Sequence, residues 1–469
     1  MQNINKSQRV WVPLISCAFL IVSAWGQGTF PPQREAFIAI EDATLIDGTG
    51  APPAVGVTIL IEENRIRQIG PSDQVQIPSG ARRIAGRGKY IIPGLIDAHV
   101  HYSAPFLHRL YLAHGVTTVR DVGTAVDKIL TLQEEVAAGN LLAPRLVVSG
   151  MGVNPRSVKS GGFDSARAMT EYLAERGVDG IKVTGYTLDE LKAIVEVADA
   201  HQLRVYGHTR IDPGALAAVE AGLGGIEHVT DLIEDCIDEN PPFPSGFDWA
   251  NREHFFKYYY GRLNRVVNMT KVDHLIERMV ANDVYLDPTL INHYRGFVIR
   301  NTPELEADPA FRYMPEQYDR SNRYGIYGPE ERAEWTKTLN LMQEVTRRFY
   351  RAGGFLIMGT DSQAAAPDGA LPGWSMHQEL ELFVQAGLTP MEVIQVATFS
   401  NARVMAREKD LGTVEPGKLA DLILLDADPL EAISNTRKIH LVIKDGLILE
   451  PDVLLAEHLR HFGERGQTK

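Results

Sequence analysis

The sequence predicts an α/β chain in which a (β/α)8 TIM barrel carries a small β-sandwich domain built from N- and C-terminal segments. Three observations predict it. Apolar strand-like runs alternate with helical patterns through the middle of the chain, and stretches of short strands and turns flank that alternation on both sides. The 469 residues also leave room for a second domain beside a barrel of ~250 residues.

The flanking stretches come first. Between Phe37 and Ile92, the runs Ala43-Ile46, Gly56-Glu62 and Arg65-Ile69 read as strands, punctuated by Asp47-Gly48 and Pro78-Ser79-Gly80. Near the C-terminus, Ala420-Leu425 and His440-Ile443 have the same texture, and Lys444-Asp445-Gly446 is a hairpin signal. Residues 35–92 and 408–450 are therefore assigned to the sandwich, and residues 93–407 to the barrel. Eight runs supply the barrel strands: Ile91-His101, Val116-Arg120, Arg145-Ser149, Gly180-Thr184, Arg204-His208, Gly225-His228, Val284-Pro288 and Phe355-Asp361. The clearest helix is Leu188-His201, where Leu191, Ile194, Val195 and Ala198 recur at helical spacing behind a Thr187 cap and an acidic first turn.

Two segments exceed a minimal barrel, at about 231–283 and 292–354. The first contains Phe255, Phe256, Tyr258, Tyr259 and Tyr260; the second contains Tyr313, Tyr318, Tyr324, Tyr327 and Trp335. They read as helical lids or subunit contacts, which admits a homo-oligomer, or as padding of the barrel exterior.

Composition excludes some functions. A formal charge of -13 without a basic stripe argues against a nucleic-acid partner and for a small-molecule one. Residues 1–26 read as a signal peptide, with Lys6 and Arg9 ahead of an uncharged apolar run from Val10 to Trp25 and the small residues Ala24 and Gly26 before a cut at Gln27. The chain is thus expected to be exported, periplasmic or secreted, touching a membrane only in transit. An uncleaved anchor is the alternative, and Leu14-Ile15-Ser16-Cys17 resembles a lipoprotein cleavage box. Cleavage leaves Cys236 as one thiol, with no intramolecular disulfide.

The chemistry is carried by strand ends. His99 and His101 lie two apart on a strand, so both imidazoles face the same side at the C-terminal mouth. An isolated pair of this kind also occurs as hydrogen-bonded core. Here, however, Lys182, His208, His228 and Asp361 end four further barrel strands. Lys182 stands among Ile181 and Val183, where an unpaired ammonium is costly. Carboxylation of its amine would turn it into an anionic, two-oxygen bridge between cations; pairing with a carboxylate such as Asp361 is the other solution.

Pro93-Gly94-Leu95-Ile96-Asp97-Ala98-His99-Val100-His101, Gly115-Val116-Thr117-Thr118-Val119-Arg120-Asp121, Ile226-Glu227-His228, Gly359-Thr360-Asp361-Ser362 and the run from Leu411 to Asp421 resemble signatures of the amidohydrolase superfamily. The resemblance covers nearly all of the chain after residue 26, and points to the binuclear branch of exported prolidases and imidazolonepropionase-like peptidases. It implies that His99, His101 and Asp361 hold one divalent metal, that His208 and His228 hold another, and that N6-carboxylated Lys182 bridges them together with a hydroxide. Zinc is the first choice, with manganese, cobalt and iron not excluded. Asp361 would carry the proton from the attacking hydroxide to the leaving amine. Single-metal deaminases of the superfamily carry a catalytic Glu soon after the His matching His208. Here Thr209, Arg210, Ile211 and Asp212 follow, which disfavours deamination.

The expected reaction is hydrolysis of a C–N amide bond in an Xaa-Pro-like dipeptide or an N-acyl amino acid. Cyclic amide or lactone hydrolysis on the same site is the nearest rival, and a non-catalytic exported binding protein the more distant one. Tyr186, Arg210 and His293 follow barrel strands and are the candidate substrate-binding residues. Arg210 would bind a carboxylate, or else pair with Asp212 or a lid carboxylate. Plain loop packing is the alternative for Tyr186 and His293.

Overall fold

The N-terminal strands are built around one kinked strand. β1 (Phe37–Leu45) pairs antiparallel with β2 (Ala54–Glu62), which pairs antiparallel with β3 (Arg65–Pro71). The register of β1 breaks between Ile40 and Ala43, where Asp42 takes a left-handed φ of 61°. Before the kink β1 pairs in parallel with β4 (Arg82–Ala85), and after it with β5 (Tyr90–Pro93). In this computed structural model the residues described are 34–102, 104, 107–209, 213–238, 246, 267–300, 302–314, 328–363 and 370–462. Residues 1–26, read above as a signal peptide and including Cys17, and Arg210 lie outside them.

The middle of the chain supplies parallel strands separated by helices. β6 (Leu95–His101), β7 (Val116–Asp121), β8 (Arg145–Val148) and the short β13 (Ser362–Gln363) form one four-stranded parallel sheet in the order β13-β6-β7-β8. β9 (Ile181–Val183), β10 (Val205–Gly207), β11 (Gly225–Glu227) and β12 (Tyr285–Asp287) form a second in sequential order. Parallel bridges link the two sheets at both edges, Val153 with Val183 and Leu286 with Leu356. Ile357 N donates to Leu286 O, and Ala98 N to Met358 O, so residues 356–358 lie between β12 and β6. The expected eighth strand is therefore an extended run, bonded on both sides, with regular ladder pairing only at Ser362 and Gln363.

The helix Leu188–Ala200 starts where expected. Thr187 Oγ1 accepts from Glu190 N, and the Glu190 carboxylate accepts from Thr187 N at 2.8 Å. Its buried face is Leu191, Ile194, Val197 and Ala198, so Val197 takes the place expected for Val195.

β14 (Leu422–Leu425), β15 (Ile439–Lys444) and β16 (Leu447–Leu449) return to the N-terminal strands, β14 pairing antiparallel with β5. Strands from both ends of the chain thus share one hydrogen-bonded sheet, where two facing sheets were expected; β5 stitches them by pairing with β1 on one edge and β14 on the other. Ile38, Ile40, Ile59, Ile61, Leu422 and Ile443 make its apolar core. The β15–β16 hairpin turns on Asp445 and Gly446, both left-handed, as the sequence signal requires.

The described residues of the two long segments include regular helix. The first contains Val229–Asp235 and Met269–Ala281, and the second contains Pro329–Arg351. The Phe255–Tyr260 aromatics and Tyr318, Tyr324 and Tyr327 lie outside the described residues. Trp335 is buried, its ring centroid 4.7 Å from Phe297. Cys236 is a buried free thiol. Among the described residues no helix is long and apolar enough to cross a membrane.

One buried cation ties five parallel strands together. Arg120 on β7 donates to Ala98 O of β6 at 2.5 Å, to the Tyr285 hydroxyl of β12 at 2.8 Å and to Glu227 of β11 at 2.6 Å. Its guanidinium lies 4.3 Å from the ring centroid of Tyr206 on β10. Breaking a buried ion pair by removing one partner costs about 3–5 kcal/mol. Arg120→Met should lower the unfolding free energy by about that amount in urea titration; an unchanged midpoint would mean the pairing contributes nothing.

Candidate metal centre

The candidate ligands lie on or beside the parallel strands, and at His228 and Asp361 the backbone turns left-handed to present them. His99 and His101 end β6, with ring centroids 5.8 Å apart. Gly123 makes room for His101: a Cβ there would stand 2.3 Å from the His101 Nδ1. His228 follows β11 at φ 75°, and Asp361 precedes β13 at φ 51°. Such left-handed backbone costs a non-glycine residue on the order of 1–3 kcal/mol and persists only where surroundings enforce it. For Asp361 the enforcing group is Asp97, which accepts from Thr360 N at 3.0 Å and Thr360 Oγ1 at 2.6 Å.

The five side chains converge. The His208 and His228 rings stack at 4.7 Å, and the His228 and His99 centroids are 5.1 Å apart. Asp361 Oδ1 lies 2.9 Å from His101 Nε2 and 3.5 Å from His99 Nε2. That oxygen is buried and completes no hydrogen bond. Ligand atoms of His99, His228 and Asp361 all lie within 4.8 Å of one another.

Hydrogen bonding fixes which nitrogen each imidazole can offer. His99 Nδ1 lies 2.9 Å from Asp287 Oδ2 and 2.8 Å from Glu227 Oε2, and His208 Nδ1 lies 3.1 Å from Asp231 Oδ2. A carboxylate only accepts, so both Nδ1 atoms carry the proton. His228 Nδ1 lies 2.6 Å from Thr289 Oγ1, whose single hydrogen goes to Pro288 O at 2.8 Å. His228 Nδ1 must also donate. In all three rings Nε2 is then the nitrogen that can offer a lone pair to a cation, in His99 once its second proton has left, and this is the orientation that a carboxylate or hydroxyl behind a metal-bound histidine enforces. A buried carboxylate oxygen without a hydrogen bond, facing imidazole nitrogens of this kind, fits a divalent cation. His99, His101 and Asp361 could hold one, and His208 with His228 a second.

The charges are mutually dependent. Burial works against protonation of His99, yet the Glu227, Asp361 and Asp287 carboxylates outweigh it and push its pKa up to about 9. Burial would raise the Asp361 carboxyl, but His99 and His101 hold it far below the usual range. Burial, followed by the charge of His208, keeps His228 neutral.

Lys182 requires a correction. It is buried as expected, but its ammonium is not unpaired: Nζ lies 2.5 Å from Glu227 Oε2. The expected alternative, a carboxylate partner, is what the structure shows, with Glu227 in place of Asp361, so the charge argument for carboxylation does not hold in this state. Glu227 Oε2 is shared between Lys182 and His99, while Oε1 accepts from Arg120 and Tyr285.

The candidate substrate residues fare differently. Tyr186 is buried in the wall of a side cleft of about 320 Å³ with Val153, Pro155, Phe163 and Ile194, outside the ligand cluster. Arg210 falls outside the described residues. His293 does not face the mouth: it is buried, with Nε2 donating to Trp335 O at 2.9 Å and its ring 5.1 Å from Phe297. Sequence reasoning missed Asp97, Glu227, Asp231, Asp287, Thr289 and Asn292. A usable signal was present for three of them, because Asp97, Glu227 and Asp287 are carboxylates inside otherwise apolar strand runs.

A model of the amidohydrolase family matches residues 90–449. The chain belongs to that family. This amidohydrolase is 24% identical over 427 residues to the imidazolonepropionase of Rubrobacter xylanophilus, covering 84% of this chain and 91% of the relative. It is 22% identical over 428 residues to adenine deaminase 3 of Rhizobium meliloti, covering 86% of this chain. It spans only about half of that relative's length, 56%. Among solved structures it is similar to a Xaa-Pro dipeptidase with bound methionine in its active site, at a TM-score of 0.64 and 22% identity, covering 88% of this chain and all of the other. That likeness establishes the fold, an α/β parallel-strand architecture with an added domain.

Burial lowers the His293 pKa to about 4. The unfolded imidazole takes up a proton below about 6.5 and the folded one only near 4, so acid favours unfolding through that window. His293→Gln lacks this titration. The stability gap between parent and variant in urea should narrow by roughly 3 kcal/mol from pH 7 to pH 4, with KM unchanged within twofold at neutral pH. A large rise in KM would restore His293 to the substrate site.

Proposed function

We propose that this chain is a metal-dependent amidohydrolase on a (β/α)8 barrel that cleaves the C–N amide bond of an Xaa-Pro-like dipeptide or an N-acyl amino acid, in an exported location. The observation that carries the reading is the buried Oδ1 of Asp361, without a hydrogen bond, facing the Nε2 atoms of His99 and His101 beside His228. A pair of divalent cations, zinc by choice, would supply hydroxide near neutrality and polarise the scissile carbonyl. His99, His101 and Asp361 would hold one and His208 and His228 the other. The metal-bridging role of carboxylated Lys182 rests on the family resemblance.

Asp361 is the proposed proton carrier. The Asp361 carboxylate would receive the proton of the attacking water and return it to the leaving amine nitrogen, which departs as a neutral amine. His99 and His101 keep that carboxyl ionised beforehand. Arg120, Tyr285 and Glu227 close the floor beneath the centre to water, since all three are buried and bonded to one another. The dipeptidase likeness supports a peptide substrate. The imidazolonepropionase likeness supports a second reading, a cyclic amide. A panel of dipeptides, N-acyl amino acids, cyclic amides and lactones separates the two, and turnover of none of them contradicts both.

Asp361→Asn should retain much of its metal while losing turnover by at least a hundredfold, measured by elemental analysis alongside kcat; full activity would remove Asp361 as proton carrier. Lys182→Ala should lose metal occupancy, with partial recovery in short carboxylic acids. A variant that binds two metals as tightly as the parent would rule out the bridge.

A further inference from the structure

Six residues leaving β12 reach three of the candidate ligands. Asp287 Oδ2 accepts from His99 Nδ1 at 2.9 Å, and its Oδ1 accepts from Gly359 N at 2.9 Å. Thr289 Oγ1 accepts from His228 Nδ1 at 2.6 Å. Asn292 Nδ2 donates to Asp361 Oδ2 at 2.7 Å. These ligands come from three different strand ends and from both halves of the centre, yet one short stretch holds them all.

The stretch is itself held. Thr289 takes a left-handed φ of 48°. Leu290 N and Ile291 N donate to the two carboxylate oxygens of Glu379 at 2.8 and 2.6 Å, and Glu379 is fully buried on the helix Trp374–Gln385. His293 closes the run by donating to Trp335 O. Each polar side chain of this turn is spent on a ligand or on anchoring the turn.

We infer that the Asp287–Asn292 stretch is the orienting template of the metal centre, and that Asn292 is a positioning residue for Asp361. The carboxylate torsion of an aspartate is broad and nearly two-fold, so nothing intrinsic decides which oxygen faces the histidines. An amide nitrogen can only donate. By engaging Oδ2, it turns Oδ1 to His99 and His101 and leaves Asp361 one oxygen for a cation. The consequence for turnover rests on the function proposed above; the consequence for metal binding does not.

The test uses the full chain with Asn292→Leu, which keeps the branched skeleton without the donor, Asn292→Asp, which sets a second carboxylate against Asp361, and Asn292→Gln, which keeps the amide on a longer arm. Zn2+ affinity is measured on metal-stripped protein against a competing chelator. Groups that orient a ligand from behind typically change metal affinity or activity 10- to 100-fold. The leucine and aspartate variants should therefore bind Zn2+ about tenfold more weakly. Where the parent turns over a substrate of the panel, kcat should fall about 10- to 100-fold with KM within twofold. The glutamine variant should recover part of both. Zn2+ affinity and kcat equal to the parent in the leucine variant overturn the inference, and so does a kcat loss that merely tracks a fallen melting temperature across all three. If the leucine variant does not fold, the aspartate and glutamine variants decide by the same readings. A metal-loaded parent inert on every substrate sinks the proposed function alone, and the Zn2+ titration still decides Asn292.

Discussion

The Glu227 carboxylate is the interaction on which the interior depends. It has no exposed surface, and it meets Arg120, Tyr285, Lys182 and His99 at once. An isolated buried carboxylate is strongly disfavoured, and so is each of the cations around it. Together they neutralise one another, and the arrangement holds five parallel strands at fixed separations. It also sets the chemistry above it, because the oxygen that pairs with Lys182 is the one beside His99 Nδ1, which commits the opposite nitrogen of that ring to the mouth.

From that floor upward, the site is organised by acceptors behind the imidazoles. Asp287, Asp231 and Thr289 each take the Nδ1 proton of one histidine. The strained backbone at His228, Thr289 and Asp361 is concentrated here. That strain persists because Asp97, Glu379 and the backbone hydrogen bonds of residues 356–358 hold the surrounding chain in place.

The strand ends were legible because two periodicities are hard to disguise: alternation on β6 puts His99 and His101 on one side, and apolar runs ending in a polar residue mark His208, His228 and Asp361. The Thr187–Glu190 cap was legible for the same kind of local reason. Less legible are the individual hydrogen-bond partners that distant residues supply. Lys182 looked unpaired because Glu227 stands 45 residues away. His293 follows a barrel strand and was placed at the mouth, whereas Trp335, 42 residues on, turns it into the helical layer. The two terminal strand stretches were recognisable, but their union into one sheet through β5 depends on the kink at Asp42, which no local signal announces.

The most direct test is an anomalous-diffraction map of zinc-soaked crystals recorded across the zinc edge. The account predicts two peaks, about 3.5–4 Å apart as in paired-metal hydrolytic centres. One should lie at about 2.0–2.2 Å from His99 Nε2, His101 Nε2 and an Asp361 oxygen, and the other at the same distance from the Nε2 atoms of His208 and His228. Peaks bonded through Nδ1, or no zinc among these five side chains, would contradict it.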